Sequence, residues 1–304
     1  AAVLMLVANL GSTVAEFAGI GSALSLFGVP PQVSAALAAV VVVIFIALGS
    51  YGRVQYLFVA IGILVSIGYA VSAWLATPDW AAASRVDVFL GALLTNLIAF
   101  IQSYVADKGL REDDLAASRV DVFLGALLTN LIAAFIVVAC AATLWTSGTT
   151  VEDAADAAGA LAPLAGPAAA VIFGVGLLGA SLLGLGVVPL TSAYATCEAF
   201  GWETGVDWNW REAPAFYSLL AFFIGFAALF VMIPGLPLLQ VMFLAQVLNA
   251  LLLPFILVFV MRLAGDRKLL GPLASGPILL GIGWLATALL IGMSLVLVAT
   301  SLAG

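Results

Sequence analysis

Polar and apolar positions fall in long blocks along this chain rather than alternating with the short periods of half-buried helices or strands. Nine apolar segments cover 2–27, 32–50, 54–76, 87–106, 121–146, 163–197, 214–234, 236–262 and 277–302. Each is close to the roughly 20 residues a helix needs to cross a bilayer. Inside lipid every backbone polar group must be satisfied internally, so each segment is expected to be a helix, and nothing suggests barrel strands. Segment 163–197 exceeds one straight span. It carries Gly174, Gly176, Gly179, Gly184, Gly186 and Pro189, which predicts a break or kink. The expected organisation is one transmembrane domain over 1–304.

The charged residues test this division. If successive loops alternate sides, Arg53, Lys108, Arg111, Arg119, Arg211, Arg262, Arg267 and Lys268 fall on one side, which the positive-inside rule makes cytoplasmic. Asp79, Glu152, Asp153 and Asp156 fall on the other. Of the nine basic residues only Arg85 breaks the rule. The first segment then starts in the cytoplasm and the ninth ends outside.

Composition agrees: the chain is 65% hydrophobic and 8% charged, where a soluble domain carries about a quarter charged residues. No basic region precedes the first apolar run, so no signal peptide is visible, and the chain reads as N-terminally truncated. The complete lack of histidine removes histidine proton relays and metal ligands. Cys140 and Cys197 read as small buried thiols. There is no phosphate-binding glycine loop, no paired-cysteine motif and no catalytic triad, so no enzyme, resident cofactor or nucleic-acid partner is expected. The run VEDAADAA (151–158) reads as a solvated helix start. Trp202, Trp208 and Trp210 read as an interfacial aromatic belt.

Polar residues within the apolar segments carry the candidate chemistry. Glu16 is the one acidic residue well inside a segment. Asn9, Ser12, Thr13 and Glu16 follow i, i+3, i+4, i+7 spacing and share a helix face. That face reads as part of a cation path, or as a structural Glu that pins helix packing. In the eighth segment Gln246 and Asn249 share a face. Their amide oxygens suit a hard divalent cation, and interhelical hydrogen bonding is the alternative. Thr95 with Asn96, and Thr129 with Asn130, are further polar pairs.

Those two pairs belong to one duplicated sequence. AASRVDVFLGALLTNLIA occupies 82–99 and again 116–133. Two copies cannot make a solenoid, and the second continues smoothly into the fifth segment. The first places Arg85 on the wrong side. It reads as misplaced sequence rather than a motif, with recent duplication as the alternative, and Thr95 and Asn96 carry little weight as ligands.

Four stretches resemble the NRAMP family of divalent-metal transporters. NLGSTVAEFAGIGSALSLFGVP, from Asn9, resembles the family's third helix. FIQSYVADKGLREDDLAASRVD (100–121) resembles the end of the sixth and the link to the seventh. GLLGASLLGLGVVPLTSAYATCEAFGW (176–202) resembles the eighth. LAQVLNALLLPFILVFVMRLAGDRKLLG (244–271) resembles the tenth, with Leu270 where the family has Met. The resemblance implies an all-α integral membrane protein of the LeuT-type inverted-repeat transporter fold, with helices three to eleven present. It also implies a cation site of which this chain matches the helix-ten Gln, as Gln246. The family's Met-Pro-His positions fall on Thr95, Asn96 and Leu97, none of which matches. Glu16 matches an acidic position, and Thr13 stands where proton-coupled members carry Asp. Both departures resemble the NRAMP-related magnesium branch.

The expected function is therefore uptake of Mg²⁺ or Mn²⁺ by alternating access without tight proton coupling, in a plasma membrane, plausibly bacterial. The expected partners are the divalent ion and the lipid bilayer. The alternatives are a LeuT-fold carrier of small organic solutes, and a non-transporting scaffold or incomplete transporter.

Overall fold

A computed structural model describes residues 2–47, 151–161, 166–205 and 210–303, with scattered single positions between 120 and 144. The segments expected at 54–76 and 87–106, the first copy of the repeat, Thr95, Asn96, Thr129, Asn130, Cys140 and Trp208 lie outside the described residues.

Five long helices carry the described fold: α1 (Ala2–Ser25), α2 (Pro31–Ala47), then after a short α3 (Ala154–Ala158) α4 (Ala169–Phe200), α5 (Pro214–Val231) and α6 (Leu238–Ala264). A single turn, α7 (Arg267–Leu270), leads to α8 (Pro277–Ala303), a sixth long helix. No strand occurs among the described residues. Of these helices α4, α5, α6 and α8 are long and apolar enough to cross a membrane.

The starts and stops follow local chemistry. Proline opens α2, α5 and α8, where its missing N–H costs nothing and its fixed φ suits the first helical turn. Both α1 and α4 end in a Schellman motif. At α1 the Val29 N–H donates to the Leu24 carbonyl at 3.1 Å and Gly28 to Ser25 at 3.0 Å. At α4 Trp202 donates to Cys197 at 2.8 Å and Gly201 to Glu198 at 3.2 Å. The two glycines sit at φ 79° and 70°, the left-handed region this cap demands. The acidic run forms α3, where Asp153 caps the helix by accepting from the Ala155 and Asp156 N–H groups.

Of the break or kink expected in segment 163–197, no break occurs within α4, which is helical at every residue from Ala169 to Phe200, with Pro189 inside and buried. In a membrane helix neighbouring helices and hydroxyl side chains compensate for proline's missing donor. Just beyond Pro189, Thr191 and Ser192 both donate to the Val188 carbonyl of their own helix, at 3.0 and 2.7 Å.

α1 is the centre of the packing. It lies against α2, α4, α5 and α6, and α8 attaches through α6. The main core joins Val14, Phe17 and Ile20 of α1 to Ala38 and Val42 of α2, Leu185 and Tyr194 of α4, and Phe216, Leu220 and Ile224 of α5. Phe216 is fully buried and meets Tyr194 edge-to-face at 4.8 Å. A separate small cluster of Leu253, Leu257 and Leu290 holds α8 to α6. The outward surface of this bundle is apolar: Phe222, Leu229, Phe243, Phe255 and Leu285 are all exposed, as befits a lipid-facing surface. At the single described positions of the second repeat copy, Val120, Phe123, Leu127 and Leu131 are helical and exposed, a further apolar face.

Candidate functional site

The polar face of α1 lies between α4 and α6. Against α6, α1 presents Gly11, Ser12, Gly19 and Gly21. Their small side chains let the two helices approach closely. The facing positions on α6 run the other way. An added Cβ at Gly21 would meet Leu238 and one at Gly19 would meet Met242. One at Gly11 would meet Ala245 and Leu248. The seam is therefore antiparallel. One interhelical hydrogen bond crosses it: Asn249 Nδ2 donates to Ser12 Oγ at 2.7 Å.

Against α4 the seam is also antiparallel, and its contacts are reciprocal. The Glu16 carboxyl group and the Ser181 hydroxyl lie beside each other in this seam. A Cβ added to Gly184 would overlap that carboxylate, and a Cβ added to Gly19 would overlap the Ser181 Oγ. Each helix thus offers one polar side chain and, three residues further on, one glycine that receives the partner's polar group. Nearer the end of α1, Gly174 of α4 receives the Phe27 ring.

The expected polar face is divided by these contacts. Thr13 is 0% exposed, and its hydroxyl donates to the Asn9 carbonyl at 2.8 Å within its own helix. Ser12 faces α6, Glu16 faces α4, and Asn9, Ser12 and Glu16 are half-buried. Asn249 is half-buried in the seam, whereas Gln246 is exposed on the flank of α6. The structure therefore sets two pairs in two seams, Ser12 with Asn249 against α6 and Glu16 with Ser181 against α4, and Ser181 is a residue to which the sequence reading gave no role. Its signal was present as a serine three residues before a glycine in a glycine-rich helix, but spacing alone does not tell which glycines face a carboxylate.

Chemically the α4 seam offers one carboxyl group beside a hydroxyl, and the α6 seam offers a hydroxyl beside an amide. Such oxygen donors suit hard cations, which accept carboxylate, carbonyl and hydroxyl oxygens and retain water. Among the described residues no group of three or more cysteine and acidic side chains gathers in one place. Of the two cysteines only Cys197 is described, and it is a buried free thiol.

Comparison with known proteins places this geometry. The family profile described as natural resistance-associated macrophage protein-like (Nramp) matches residues 1–300. No curated protein matches the sequence. The match spans nearly the whole chain and includes every helix and polar contact described above. Nramp proteins are membrane transporters with the LeuT-type fold, and their substrates are divalent metal cations. This chain belongs to the Nramp family of multi-pass membrane proteins that carry divalent metal ions.

Proposed function

We propose that the ion carried is Mg²⁺ or Mn²⁺ and that it moves by alternating access without tight proton coupling. The observation that carries this reading is the isolation of Glu16. Among the described residues it is the one carboxylate well inside a membrane helix, and the groups it meets are a hydroxyl and a glycine. A proton route needs titratable groups in succession, and the chain supplies no histidine to extend one. Thr13, one turn away, is closed onto its own helix and carries no titratable group.

In this reading Glu16 lines the ion path, with Ser12 and Asn9 beside it. Gln246 contacts the ion or its water shell from α6, with Asn249 held in place by Ser12. Neutral oxygen donors favour a hard ion that gives up its water reluctantly. The same donor chemistry argues for a metal ion over a small organic solute.

The test is uptake of Mg²⁺ and of Mn²⁺ by the full-length protein in proteoliposomes loaded with a pH-sensitive dye. Metal influx with little internal acidification is expected. Proton entry in fixed proportion to metal entry would sink the uncoupled reading.

A further inference from the structure

We propose that Ser181 is a positioning residue for metal transport, acting through Glu16: its hydroxyl holds the carboxylate at one place in the seam between α1 and α4. The inference rests on the reading above that Glu16 lines the ion path.

Ser181 behaves unlike its neighbours in kind. Thr13, Ser34, Thr191, Ser192, Thr196 and Thr287 each donate to a carbonyl three or four residues back. That is the default for a hydroxyl in a helix. Ser181 is buried too, but its hydroxyl lies across the seam against Gly19, beside the Glu16 carboxyl group. The space around the pair is cut to shape. Gly184 leaves the room that the carboxylate fills, and Gly19 leaves the room that the hydroxyl fills. An alanine at either position would put a methyl group into one member of the pair.

A glutamate has several free side-chain torsions, and fixing them on a cation costs conformational entropy. A carboxyl group already held against a hydroxyl meets the ion with part of that ordering done. Loss of Ser181 should therefore weaken ion capture more than it slows the transport cycle.

The experiment measures Mn²⁺ uptake by the full-length protein in proteoliposomes, reading KM and maximal rate separately. The variants are Ser181→Ala, Glu16→Gln and the double substitution, with thermal melting of each purified protein alongside. Ser181→Ala is expected to raise KM by up to about tenfold, the scale of one hydrogen bond, with maximal rate within about twofold. Glu16→Gln is expected to raise KM at least as much, and the double variant is expected to match Glu16→Gln alone. Gly184→Ala supplies a second route, because it displaces the carboxylate while leaving the hydroxyl in place, and it too should raise KM. It replaces Ser181→Ala in the cycle if that variant does not fold.

An unchanged KM in Ser181→Ala, or effects that simply add in the double variant, would overturn the positioning role while leaving Glu16 in the path. An unchanged KM in Glu16→Gln would instead remove Glu16 from the path, and both readings would fall together.

Discussion

The side chain of Asn249 reaches from α6 to Ser12 of α1, Nδ2 donating to Oγ at 2.7 Å, and this is a polar tie in a seam otherwise built of small and apolar residues. Interhelical hydrogen bonds in membranes contribute modestly, because each partner finds other acceptors when released. Asn249→Ala is expected to cost about 1 kcal/mol, with Ser12→Ala similar and the double variant no worse than the larger single. Denaturation in mixed micelles followed by circular dichroism measures all three. Additive single effects would show that the pair does not act as a unit.

Two aromatic residues on α5 separate core from lipid-facing surface. Phe216 is 0% exposed and packs on Tyr194, whereas Phe222 is 54% exposed. Phe216→Ala should cost about 3–5 kcal/mol, the usual loss for emptying a packed aromatic site. Phe222→Ala should cost little, since lipid chains are as apolar as the contacts it makes. Melting temperatures in detergent give the comparison. Equal losses would contradict the assignment of that face to lipid.

The glycines of α4 and α5 predict different outcomes for the same substitution. An added Cβ at Gly174 comes within 3.0 Å of two Phe27 ring atoms, while one at Gly225 meets nothing within 4 Å. Gly174→Ala should be the less favourable of the two, by up to about 1 kcal/mol, because the half-exposed Phe27 ring must shift to admit the methyl group. Gly225→Ala should be neutral or stabilising by up to about 1 kcal/mol, the helix preference of alanine over glycine. Both are read from the same unfolding titration.

The helix-ending glycines make a third kind of test. Gly28 and Gly201 hold φ 79° and 70° in matching caps. Alanine at either position should cost about 1 kcal/mol or more, and asparagine less, because asparagine tolerates the left-handed region better. A cost for asparagine equal to that for alanine would point to something other than backbone strain. Limited proteolysis near each cap provides a local readout beside global melting.

The helical, membrane-spanning character of the chain was readable from block length alone, because the bilayer sets a length and forbids unpaired backbone. The polar face on α1 was readable from spacing, since residues three and four apart lie on one side whatever the partner. What spacing could not supply is which helix each group meets. Ser12 and Glu16 sit one turn apart, yet they serve different neighbours, and Thr13 serves neither. The pairing of Gly19 with Ser181 and of Gly184 with Glu16 is a property of the crossing between α1 and α4, which spacing along one helix does not reveal. The glycines and Pro189 of α4 announced a break or kink, and α4 runs without a break, because inside a membrane bundle neighbouring groups can hold a helix through a proline.

The central place of α1 has a consequence for how the protein is made. Its partner at Asn249 lies 237 residues later in the chain. At translation speeds of about 5–20 residues per second, Ser12 enters the membrane roughly ten to fifty seconds before that partner exists. Through this interval the helix at the heart of the finished bundle carries Glu16 without its serine, facing lipid or whatever the insertion machinery offers in its place. The residues best protected in the mature transporter are therefore the most exposed during its birth, and a cell that makes this protein must shelter α1 until the later helices arrive.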